Sequence, residues 1–177
     1  MRRFLDRLYL ASGALGGCFI VLICVAMIGQ SILREFGVRT GAVNDVVAWM
    51  CAAASFFAMA HAFKHGDFVR VTLLLEHLSE RKRRVLEIAA LLIGTVSVGY
   101  LAFWAVRFTY ESWQFNELAQ GLLPIPIWIP QSSFALGALL LLVAMVDELI
   151  LVLRGARPTY VVAVEERHAH GDFSSDV

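Results

Sequence analysis

Charged side chains are missing from four long stretches of the chain, residues 8–33, 46–63, 88–106 and 118–146. A hydrocarbon core of roughly 30 Å is crossed by about 20 helical residues, so each stretch predicts a transmembrane helix. The second is the shortest and recruits Asn44 and Asp45 at its rim. The fourth carries Pro124, Pro126 and Pro130 at its front. Prolines at that spacing cannot sit inside a helix, so the span proper starts near Trp128 or Pro130, after an extended lead with Trp128 at headgroup level. The predicted spans are residues 9–33, 45–63, 86–106 and 128–150.

Between the second and third spans, Val71, Leu74, Leu75 and Leu78 recur at i, i+3, i+4 and i+7. This periodicity predicts a short amphipathic helix over residues 68–78, lying in the membrane interface. Ser79 suits a cap for the next helix, and Arg81, Lys82, Arg83 and Arg84 suit anchors among anionic headgroups. The expected fold is all-α: a polytopic membrane protein with four transmembrane helices, an interfacial helix and both termini cytoplasmic. Residues 1–157 form its membrane domain, and 158–177 a mobile polar tail.

Composition agrees: 59% of the residues are hydrophobic and 17% charged, against about 45–50% and 25% in soluble domains. That excludes disorder and a soluble enzyme, and a net charge of zero gives no reason to expect nucleic acid. The zero conceals an asymmetry. Of fifteen lysines and arginines, twelve fall on the N-terminus, the second loop and the tail, and three on the first and third loops. The positive-inside rule therefore puts both termini and the second loop in the cytoplasm. The uncharged run after Arg7 exceeds the roughly 7–15 residues of a signal-peptide core and reads as a retained helix. Cys18, Cys24 and Cys51 lie inside apolar runs and read as small core residues, not a disulfide framework.

Chemistry-bearing patterns are sparse. Asp45, Lys64, Glu87, Arg107, Asp147 and Glu148 sit at span edges, where long side chains reach the headgroups. His61 and His65 share one helix face and cannot ligate opposite sides of a haem, and the tail's His168 and His170 lack further ligands at metal-site spacing. No cofactor, metal site or catalytic residue is expected. The sequence His-Gly-Asp-Phe at 65–68 and 170–173 has no flanking similarity and reads as coincidence. Gly13 and Gly17 allow close approach of a helix, internal or from a partner, as do Ala90 with Gly94 and Ser133 with Gly137.

The order of motifs from Arg34 to Glu87 resembles the small membrane subunit (DctQ-like, or Q subunit) of tripartite ATP-independent periplasmic (TRAP) transporters. Arg34-Glu35-Phe36-Gly37 closes the first span, Asp45 opens the second, and Gly66-Asp67-Phe68-Val69-Arg70-Val71-Thr72 follows it. A leucine-rich helix, the basic run 81–84 and Ile125-Pro126-Ile127-Trp128 complete the likeness. Phe68 and Thr72 depart from it, standing where the family often has His and Asp. The resemblance implies a non-enzymatic scaffold in the bacterial inner membrane. Its partners would be the lipid bilayer, a large membrane subunit of about twelve spans and a periplasmic substrate-binding protein. Together they would take up an organic acid, such as a dicarboxylate, with sodium. On that reading Gly13, Gly17, Arg34, Asp45 and Arg70 are candidate subunit contacts, with Arg34 and Asp45 either paired across the first loop or separately solvated. An accessory subunit of a tricarboxylate-type tripartite system, or a four-helix redox protein, are the alternatives.

Overall fold

A computed structural model describes residues 2–67 and 80–169. Among these, the elements are α1 (Arg2–Glu35), α2 (Gly41–His65), α3 (Glu80–Gln114), α4 (Trp128–Leu153) and α5 (Thr159–Ala169). The first four contain the apolar segments Leu5–Glu35, Gly41–His65, Lys82–Gln114 and Trp128–Leu153, each long and apolar enough to cross a membrane. No strand occurs among the described residues, only an isolated bridge between Leu118 and Pro126. The interfacial helix expected over 68–78, the Ser79 cap and Arg70 all lie outside the described residues.

The helices outrun the uncharged stretches that predicted them. α1 and α3, at 34 and 35 residues, are about 51–53 Å long at 1.5 Å per residue, well beyond the hydrocarbon core. Charged residues at a span's end stop it from lying in hydrocarbon but do not stop the backbone from continuing its hydrogen-bond ladder. α4 starts at Trp128, with Pro130 in its first turn, where no intrahelical N–H is needed.

The packing order is α1–α2–α4–α3, so the four long helices form a row in which α2 and α4 are central. Small residues make the contacts. On α1, Ser12 donates to the Phe57 carbonyl at 2.5 Å, and a Cβ on Gly16 would stand 3.0 Å from the Ala54 carbonyl oxygen. On α4, a Cβ on Gly137 would stand 2.6 Å from Phe56 Cβ and 2.7 Å from its carbonyl carbon. Ala53, Ala54, Ala60, Ala138 and Ala144 are buried, as close approach of helices in lipid requires. The flanks are apolar and uncovered: Ile20, Val21, Val25 and Ile28 on α1, and Ile93, Val96, Tyr100 and Phe103 on α3, are all exposed. The three cysteines are free and exposed on the outer faces of α1 and α2, not in the core.

α5 corrects a second expectation. Residues 159–169, read from composition as part of a polar tail, form a helix whose Tyr160 is buried against Phe63, with ring centroids 5.9 Å apart. The loop between α3 and α4 is also built. Ala119 N–H donates to the Ile125 carbonyl and Ile127 N–H to the Glu117 carbonyl, both at 2.9 Å. Ser112 donates to the Glu117 carboxylate at 3.0 Å.

Candidate functional site

The chain's most concentrated chemistry lies where α2 ends. Lys64, in the last turn of α2, is buried, and its Nζ donates to Asp147 Oδ2 at 2.6 Å and Glu148 Oε1 at 2.9 Å. Successive residues of a helix lie about 100° apart, so the two carboxylates reach one ammonium from neighbouring faces of α4. Glu148 is fully buried, whereas Asp147 keeps 30% of its side chain exposed. The second oxygen of Glu148 accepts the backbone N–H of Thr159 at 3.0 Å. A carboxylate thus meets the positive, hydrogen-bond-deficient start of α5. Tyr9 of α1, also buried, presents its ring 5.5 Å from the same Nζ, within cation–π range. One ammonium therefore ties together α1, α2 and α4, and α4 in turn holds α5.

α5 is fastened a second time. Arg167 Nη1 pairs with Asp67 Oδ1 at 2.8 Å, and its Nη2 donates to the His65 carbonyl at 2.5 Å. Between these points Gly66, at φ +76°, ends α2 in the left-handed conformation. A Cβ there would stand 2.7 Å from Val164 Cγ2 and 2.8 Å from the Tyr160 carbonyl oxygen. Gly66 is needed twice, for the turn and for the approach of α5.

The sequence pattern does not predict this cluster. Their positions at span edges predict that Lys64 and Glu148 snorkel to headgroups, yet both point inward and are paired. The available signal was the opposite charge of Lys64 and the Asp147–Glu148 pair, near the C-terminal ends of the second and fourth spans, which run in the same direction and so end on the same side.

At the far end of the row, Asp45 accepts the Leu122 N–H at 3.1 Å and lies against the Cα of Gly121, where any Cβ would collide with the carboxylate. Asp45 thus joins α2 to the α3–α4 loop. It forms no pair with Arg34, which is exposed and makes no ion pair among the described residues. Gln30 of α1 donates to Asn44 Oδ1 at 3.0 Å nearby. Gly13 is filled by His61 of α2, 2.7 Å from where a Cβ would stand, while Gly17 faces open space. Lys82 is exposed, Arg83 lies 3.7 Å from Glu87, and Arg84 Nη2 donates to the Val152 carbonyl at 3.5 Å. Arg81 lies in the first turn of α3, and Trp128 is half-buried at the start of α4.

Four apolar helices, packed through small residues and joined at one end by a buried ionic knot, define a multi-pass membrane protein. Residues 1–155 match the family described as tripartite ATP-independent periplasmic transporters, DctQ component, and the chain belongs to that family of small TRAP transporter components. The match covers α1 to α4 and stops before α5. Comparison with curated proteins finds no match.

Proposed function

We propose that this chain scaffolds the large membrane subunit of a TRAP transporter during sodium-coupled uptake of an organic acid delivered by a periplasmic binding protein. The family match over all four spans carries the reading. The architecture supports it. A row of helices, tied at one end through Lys64 and at the other through Asp45, resists shear. Its apolar flanks on α1 and α3 offer long surfaces to a neighbouring membrane protein. Gly17, open on the outer side of α1, and the exposed Arg34 are the interface candidates that the fold leaves uncovered. The bias of basic residues supports a cytoplasmic location, at the inner membrane, for both termini, the second loop, α5 and the Lys64 cluster.

Affinity purification of the tagged chain from its native membrane tests this. A large, many-span membrane protein should co-purify, and liposomes should accumulate organic acid only with that partner, the binding protein and a sodium gradient. Uptake by this chain alone would overturn the scaffold reading.

A further inference from the structure

The outer surface of α3 carries an open groove of about 620 Å³, lined by Ser97, Val98, Tyr100, Leu101, Trp104 and Phe108. Arg107 and Glu111, an ion pair at 2.8 Å, stand at one end of it. We propose that the groove holds one acyl chain of a phosphatidylethanolamine, whose headgroup phosphate binds Arg107 and whose ammonium binds Glu111. The inference needs only a chain that spans a membrane and does not rest on the transport reading.

The groove has the length of one leaflet. Uncharged residues 88–106 mark the part of α3 that lies in hydrocarbon, and their midpoint is Ser97. From Ser97 to Phe108 the helix rises about 16 Å at 1.5 Å per residue, against about 15 Å for half of a roughly 30 Å core. The groove thus begins at the middle of the bilayer and ends at headgroup level, beside the Arg107–Glu111 pair. A helix of another membrane protein crosses both leaflets and would call for a groove about twice as long. An acyl chain stops at the middle.

The wall is apolar and braced. Tyr100, Trp104 and Phe108 recur every fourth residue and share one stripe of the helix. The Trp104 ring meets those of Tyr100, Phe103 and Phe108 at centroid distances of 6.2, 5.8 and 5.5 Å. Rings held in this way lose little freedom when a chain lies against them. The polar end is continuous with that wall, because the Arg107 guanidinium lies 5.0 Å from the centre of the Trp104 ring. Among the described residues the guanidinium bonds through Nε, to Glu111 Oε1 at 2.8 Å. Its two Nη groups then suit phosphate oxygens, and the second oxygen of Glu111 suits an N–H donor. The pair is neutral as a whole, so charge complementarity selects a headgroup with one charge of each sign. Choline carries the positive charge but no N–H for the carboxylate, and glycerol carries neither.

The full-length chain, delipidated in neutral detergent, is titrated with dioleoyl phosphatidylethanolamine, phosphatidylcholine or phosphatidylglycerol and read by native mass spectrometry. Phosphatidylethanolamine should be retained best. Glu111→Gln should weaken its retention about threefold, the scale of one exposed ion pair, and erase its advantage over phosphatidylcholine. Arg107→Gln should weaken retention of all three lipids. Arg83→Gln, which breaks the equivalent pair with Glu87 at the other end of α3, should change nothing. Ser97 is exposed, so Ser97→Phe should leave folding intact while filling the deep end of the groove and weakening retention. If a variant loses helical content, competition among the three lipids on the unmodified chain decides the matter. Equal retention of phosphatidylethanolamine and phosphatidylcholine would overturn the proposal. So would a folded Glu111→Gln or Ser97→Phe chain that binds as before, or equal weakening by Arg83→Gln. A photo-crosslinker in place of Ser97 that captures a membrane protein instead of lipid in native membranes would assign the groove to a partner helix and overturn it too.

Discussion

Lys64 occupies a position where a membrane protein gains from charge only if every charge is matched. Its ammonium has two carboxylates and an aromatic face around it, and the deeper carboxylate spends its second oxygen on the start of α5. Removing one partner from such a set strands the others, which typically costs about 3–5 kcal/mol, whereas replacing the whole set by apolar or neutral groups can be almost free. Lys64→Met should therefore destabilise the chain strongly, since it leaves two carboxylates facing each other beside Tyr9. Adding Asp147→Asn and Glu148→Gln to that variant should recover much of the loss. Unfolding of the three proteins in mixed detergent micelles measures this directly. Equal stability of Lys64→Met and the parent would mean the ammonium is solvated after all. Glu148→Ala alone should also release α5, seen as faster hydrogen exchange over 159–169 without loss of the four spans.

At the scale of elements, what holds one helix against the next is the absence of side chain at chosen points. Gly137 and Gly17 make the contrast, because both lie in apolar helices and only one has a neighbour. A Cβ at 137 would overlap Phe56 down to its backbone carbon, which cannot rotate away, whereas nothing lies within 4 Å of one at 17. Overpacking of this kind costs about 1–3 kcal/mol, and an open surface substitution falls within about ±0.5 kcal/mol. Gly137→Ala should thus lower stability and Gly17→Ala should not, in the same micelle unfolding assay. The sequence pattern made the four spans legible, as well as the start of α4 at Trp128, because both depend on local rules: unbroken apolar length and the exclusion of proline from helix interiors. Glycine spacing did not show which glycine faces inward. The choice between Gly13 and Gly17 depends on how α1 is rotated against α2. The Lys64 knot was hidden for the same reason, since its members are 83 and 84 positions apart. α5 escaped because it is only eleven residues long, and contacts distant in sequence, at Gly66, Glu148 and Arg167, hold it in place.

For the whole molecule, the buried cluster bears on orientation, because the positive-inside rule counts charges that stay in water near headgroups. Twelve basic residues against three was the raw asymmetry, and Lys64 is one of the twelve. Matched by Asp147 and Glu148 and shielded from solvent, it is not among the charges that reach headgroups in the folded chain. Setting it aside leaves eleven against three, so the expected orientation does not depend on Lys64, and the excess rests on the N-terminus, residues 70–84 and the segment after α4. Four spans also require both termini to share a side, so α5 and the Lys64 cluster move together in any assignment. Two exposed positions at opposite ends of the row report it: Val38, in the loop after α1, and Ala156, in the turn after α4. The three native cysteines are exposed on α1 and α2, so a cysteine-free background should fold. In that background, Val38→Cys should react with a membrane-impermeant maleimide on intact spheroplasts, and Ala156→Cys only after permeabilisation. The opposite pattern would turn the molecule over, putting the Lys64 cluster and α5 on the outer face, where neither the basic residues nor a binding-protein-dependent transporter would place them.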